Sequence, residues 1–118
     1  MKLAIPRPRF LRRKEQFKRV YQRYNCALDT SLMMIDRMIS FEGRLLDISR
    51  GGAMFRPKLA YIMHRAATPV CMPLGSEELF GQIISTSPKG FSIRFDDPLD
   101  EEDLIELLEQ VGVLPAAA

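Results

Sequence analysis

Histidine occurs once in these 118 residues and cysteine twice, so most histidine- and thiol-based chemistry has little to work with. His64 has no acid or cysteine set around it and reads as a surface or loop residue, not a catalytic base. Cys26 and Cys71 stand far apart, outside any zinc-like spacing, and both are flanked by strand-like residues. Buried free thiols are expected there. The sequence has no nucleophile elbow and no glycine-rich phosphate loop opening a helix, so the expectation is a protein that is not an enzyme and carries no metal or cofactor. No apolar run approaches membrane-spanning length. Met1 to Phe10 holds two prolines and three basic residues with no apolar stretch of the signal-peptide kind. These absences point to a cytoplasmic chain that does not insert into a membrane. No internal repeat and no low-complexity linker is visible.

The chain's length suits one domain with its own core. Its net charge of +2 conceals a strong asymmetry. Residues 1–23 carry nine Lys/Arg against Glu15 alone, a net of +8, and the rest of the chain nets −6. A basic arm on an acidic body implies an anionic partner for the arm or attraction to the body itself. The expected organisation is a basic N-terminal arm over 1–18, a folded domain over 19–112 and a tail over 113–118. Phe17, Val20, Tyr21 and Tyr24 have helical spacing, so a short amphipathic helix is possible there, with residues 10–18 as its expected extent.

Beyond the arm the period changes to two. Asn25 to Met34 alternates Cys26, Leu28, Leu32 and Met34 with polar residues, and Ile35 to Met38 can turn the chain. Ile39, Phe41 and Leu45 alternate with Ser40, Glu42 and Arg44 in a second strand running into Asp47. Gly51-Gly52 breaks it, Ala53 to Arg56 forms a third strand, and residues 58–67 stay ambiguous, with a short strand around Tyr61 to Met63 as one reading. Val70–Leu74, Glu78–Ser85 and Gly90–Asp96 complete the set, separated by Gly75-Ser76 and Ser87-Pro88-Lys89. Short strands with regular turns predict a mainly β protein, a small antiparallel barrel of about six strands. A C-terminal helix follows, with Asp100 as N-cap, Leu104, Leu107, Leu108 and Val111 as its apolar stripe, and Gly112 and Pro115 as its stop.

Asp96, Asp97, Asp100, Glu101, Glu102 and Asp103 read as the acidic start of that helix rather than a calcium loop, whose alternating ligands and central glycine are missing. Met33, Met34, Met38, Met54, Met63 and Met72 read as core filling.

The polar tools cluster in two places. Arg19-Val20-Tyr21-Gln22-Arg23 offers two guanidiniums that can stack on bases and grip phosphates. Asp47-Ile48-Ser49-Arg50-Gly51-Gly52 sets a carboxylate, a hydroxyl and a bare backbone at one strand end. Arg9 and Arg13 repeat the first spacing but lie further from the strands. RxxxR followed by (D/N)xSxxG resembles the PilZ family of bacterial cyclic di-GMP receptors, and the strands Gly51–Phe55, Phe80–Ile84 and Gly90–Phe95 extend the likeness over roughly residues 19 to 111. Many members begin the motif with Arg-Arg, where this chain has Lys18 before Arg19; lysine keeps the charge and loses the planar fork.

The resemblance implies a cyclic di-GMP-binding receptor. Arg19 and Arg23 would stack on guanines and contact phosphates, Asp47 would accept from guanine N1–H or N2–H, Ser49 would bond the same nucleotide, and Gly52 would permit close approach. Lys18, Arg50 and Gly51 are further candidates. Ligand would reorder the arm, and the output would pass to a separate protein, the receptor itself being a monomer or weak dimer. Two alternatives stay open: a PilZ-fold adaptor that binds no dinucleotide, and a small nucleic-acid-binding barrel. The last needs aromatics on an exposed strand face, whereas Phe41, Phe55, Phe80 and Phe95 are expected in the core.

Overall fold

The computed structural model describes residues 21–59 and 68–114. Alternating side chains there build six strands: β1 (Tyr24–Met34), β2 (Ile39–Ile48), β3 (Gly52–Pro57), β4 (Thr68–Leu74), β5 (Glu77–Ser87) and β6 (Gly90–Phe95). Every neighbouring pair is antiparallel, and the strands close into a barrel in the order β1-β2-β3-β6-β5-β4. A helix, α1 (Glu101–Gln110), follows. The mainly β barrel with a C-terminal helix is therefore the observed architecture. The helix expected over 10–18, the strand read at Tyr61–Met63, and His64 all lie outside the described residues.

The inward faces meet in one core. Leu32, Leu45, Phe55, Val70, Met72, Ile83 and Phe91 supply the barrel interior, and Leu104, Leu107 and Leu108 of α1 join the same cluster. Burying each such side chain contributes roughly 1.5–3 kcal/mol relative to exposure. Phe41 meets Phe91 edge-on, with ring centroids 6.3 Å apart and planes at 79°. Among the described residues no helix is long and apolar enough to cross a membrane.

The end of α1 follows its sequence signal closely. Gly112 adopts φ +82, a left-handed value that glycine takes without strain. The Gly112 N–H then donates to the Glu109 carbonyl at 3.2 Å and the Val113 N–H to the Leu108 carbonyl at 2.9 Å, the two bonds of a Schellman motif. At the other end Asp100 is the N-cap residue, but its carboxylate makes no cap hydrogen bond. Glu101, Glu102 and Asp103 place their charges in the first turn, where the helix dipole favours them.

Five expectations need correction. Tyr24 opens β1, so the helical stripe through Phe17, Val20, Tyr21 and Tyr24 does not continue to its last member. Asp100 caps α1 without its side chain. Phe80 is half exposed, because Leu79, Gly81 and Ile83 take the inward face of β5 and leave Phe80 pointing out across Cys71. Met38 is 76% exposed at the β1–β2 turn, whereas Met34 and Met72 do fill the core. Cys71 is a buried free thiol, but Cys26 is only partly buried.

Candidate functional site

Strict alternation along β2 would put Asp47 on the same face as Leu45, inside the barrel. The strand avoids this with a bulge. Leu45 pairs with Phe55 and Asp47 with Met54, so Leu46 is an extra residue against β3. Side-chain phase then reverses: Leu45 and Ile48 are fully buried, and Asp47 faces outward. β1 bulges opposite the same point, between Asn25 and Leu28, with Ala27 at φ 53. Two irregularities thus bring a carboxylate to the outer surface at the end of a buried strand.

Arg23, just before β1, reaches this carboxylate. Its Nη1 donates to Asp47 Oδ1 at 2.6 Å, with the arginine side chain 64% exposed and the aspartate 24%. The two halves of the sequence pattern, 24 residues apart, are thereby joined by one ion pair. Arg19 and Lys18 lie outside the described residues.

The next residues form a tightly bonded turn. The Ser49 N–H donates to the Gly52 carbonyl at 2.8 Å, and the Gly51 N–H donates to Ser49 Oγ at 3.3 Å. The Ser49 hydroxyl also lies 3.4 Å from the Gly52 carbonyl oxygen, as donor. Ser49 is buried, as is Thr68 among the described polar residues. Gly52 is required by packing: a Cβ built on it lands on the Ile93 carbonyl oxygen of β6. Gly51 lies under an aromatic ring, and its Cβ would sit 3.0 Å from Tyr21.

Arg50 turns away from Asp47. Its Nε donates to the Leu99 carbonyl at 2.5 Å, and the Leu99 N–H donates back to the Arg50 carbonyl at 2.9 Å. Its guanidinium also stacks 4.9 Å from the centre of the Tyr21 ring, a cation–π contact of about 0.5–1 kcal/mol at exposed sites. A third link to the helical region runs from the Tyr24 hydroxyl to Glu101 Oε2 at 2.6 Å. That hydrogen bond to a carboxylate holds the Tyr24 phenol above its usual pKa. Beside the site, burial pushes the Cys26 thiol up to about 11, with the charge of Asp47 adding to the effect.

Tyr21 and Leu99 are members of this cluster that the motif pattern does not name. Tyr21 had one signal in the sequence: an aromatic on the segment that must cross a bare Gly-Gly surface. Leu99 acts through its main chain, for which the sequence carries no signal. Among the described residues no group of three or more His, Cys, Asp or Glu is placed to hold a metal ion.

The arrangement offers a carboxylate acceptor and a guanidinium above a main-chain surface, chemistry suited to a planar base with adjacent N–H donors and to phosphate. Comparison with curated proteins finds none that matches the chain. The PilZ domain family model, however, matches residues 16–111, an interval that contains both halves of the pattern, all six strands and α1, and the chain belongs to the PilZ domain family.

Proposed function

We propose that this PilZ domain is a cytoplasmic receptor for cyclic di-GMP, without enzymatic activity, that repositions its N-terminal arm on binding and is read by a partner protein. The observation that carries the reading is the 2.6 Å contact between Arg23 and Asp47. A guanidinium presents adjacent N–H donors to a carboxylate, and guanine presents N1–H and N2–H in a similar fork. Arg23 therefore occupies Asp47 in the way the ligand's base would. Ligand entry exchanges one donor to Asp47 for the two of guanine and frees Arg23 to stack on the base or grip a phosphate. The exchange opposes little: ion pairs this exposed are worth at most about 1 kcal/mol. Arg19 joins from the same segment. Ser49 and Gly52 hold the turn that presents Asp47, and Arg50 and Gly51 seat Tyr21 against it.

Calorimetric titration with cyclic di-GMP, with GTP and cyclic di-AMP as controls, tests this. Selective, saturable binding is expected. Asp47→Ala should weaken it by at least about tenfold, the loss of hydrogen bonds to a charged group, while leaving the folded state nearly as stable. Unchanged affinity in a folded variant removes Asp47 from the site. A folded wild-type chain that takes up no dinucleotide is instead an adaptor. One observation favours that second reading: Ser49, Gly51 and Gly52 each already have a role within the turn.

A further inference from the structure

The outward row that contains Asp47 continues across the barrel. Asp47 pairs with Met54 of β3, and Met54 with Ser92 of β6. One outward position nearer the turn, Gly52 pairs with Arg94. Arg94 thus lies two strands from Asp47, about 10 Å across the sheet, and on the far side of the bare glycine surface. No side chain can rise from Gly52 between them, because the main chain of β6 takes that space.

Arg94 is also the cation near the turn that has nothing to hold. Arg23 is paired with Asp47, and Arg50 with the Leu99 carbonyl. Arg94 is exposed and has no hydrogen bond or ion pair among the described residues. Its main chain is nonetheless fixed. Ile93 and Phe95 on either side are buried, and the Phe95 N–H donates to the Gly51 carbonyl at 2.9 Å. The side chain therefore leaves a rigid base, which reduces the ordering cost of gripping a ligand.

We infer that Arg94 is a phosphate-binding residue of this site, holding the phosphodiester at the edge opposite Arg23. The inference rests on the receptor reading above. Arg23 and Asp47 form one wall, Gly52 the floor beside the Tyr21 ring that covers Gly51, and Arg94 the other wall. Among the described arginines at the turn, Arg23 and Arg50 are already engaged by Asp47, Leu99 and Tyr21, and Arg94 is left with its whole guanidinium to offer a phosphate.

The experiment is titration of cyclic di-GMP into the wild-type chain, Arg94→Gln, Arg94→Lys and Arg56→Gln, at two salt concentrations. Arg56 is the matched control, an exposed arginine on the same outer face of β3 that also lacks a partner among the described residues. Arg94→Gln should bind about tenfold more weakly, the scale of one charge-assisted hydrogen bond, with a shallower salt dependence. Arg94→Lys should recover part of the loss, and Arg56→Gln should stay within about twofold of wild type. Thermal melting confirms that each variant is folded. Wild-type affinity in Arg94→Gln overturns the assignment, as does an equal loss in Arg56→Gln, which would reveal a general field instead of a contact. A wild-type chain that binds no cyclic di-GMP overturns the receptor reading itself, and this residue's role with it.

Discussion

Two of the turns that join neighbouring strands of this barrel, β1 to β2 and β2 to β3, are held by different means. The Ser49–Gly52 turn buries its serine, closes with hydrogen bonds from main chain and side chain, and is tied to Leu99 in both directions. The Ile35–Met38 turn is exposed at every residue, donates from Ile35 to the Pro69 carbonyl, and ends on Met38 at φ 56. Neither turn needs the other's solution. Where a turn presents chemistry, the surrounding structure fixes each residue type. Where it merely reverses the chain, a methionine in a left-handed conformation is tolerated, although that conformation costs roughly 1–2 kcal/mol for a residue with a Cβ.

The contrast can be broken by substitution. Gly52→Ala should do most damage, because the new methyl group must displace the β6 carbonyl. A loss of about 2–3 kcal/mol in urea denaturation is expected, and a loss below about 0.5 kcal/mol would mean that β3 and β6 can separate freely there. Ser49→Ala comes next, at about 1–2 kcal/mol for leaving the half-buried Gly51 N–H without its acceptor; an unchanged midpoint would show that water replaces the hydroxyl. The smallest effect belongs to the exposed turn. Met38→Gly should stabilise the domain by up to about 1 kcal/mol, the left-handed strain relieved less the greater chain entropy of glycine. Any destabilisation by that change would show that the Met38 side chain contributes packing despite its exposure.

The barrel was legible because its strands alternate cleanly over most of their length. Leu32 and Met34, or Ile93 and Phe95, mark the inward face by period two alone, and Gly112 marks the helix end by the conformation only glycine favours. The bulges were not legible. Nothing in Leu45-Leu46-Asp47-Ile48 says that the phase reverses at Leu46, since either leucine can face a core. Phe80 misled for a related reason: an aromatic suits either face of a sheet, and only its neighbours Leu79, Gly81 and Ile83 decide. The candidate site was half visible. Arg23, Asp47, Ser49, Gly51 and Gly52 stood out by residue type, and the structure brings them to one strand end. The orientation of Arg50 toward Leu99 depends on where the chain returns after β6, which local sequence does not encode. Arg94 was hidden for the same reason, because its nearness to Gly52 exists only in the register.

Closing the sheet has one more consequence. An open sheet presents a row of free N–H and C=O groups to which another chain can add a strand. Here β1 and β4 meet through Met33–Cys71 and Met34–Val70, and these two pairs close the circle of strands. Where the strands are paired on both sides, a protein that recognises this domain cannot add a strand of its own. It must read side chains on the outer wall or the features at either mouth, and one of those mouths is where the Arg50–Leu99 bonds fasten the motif turn to the approach of α1.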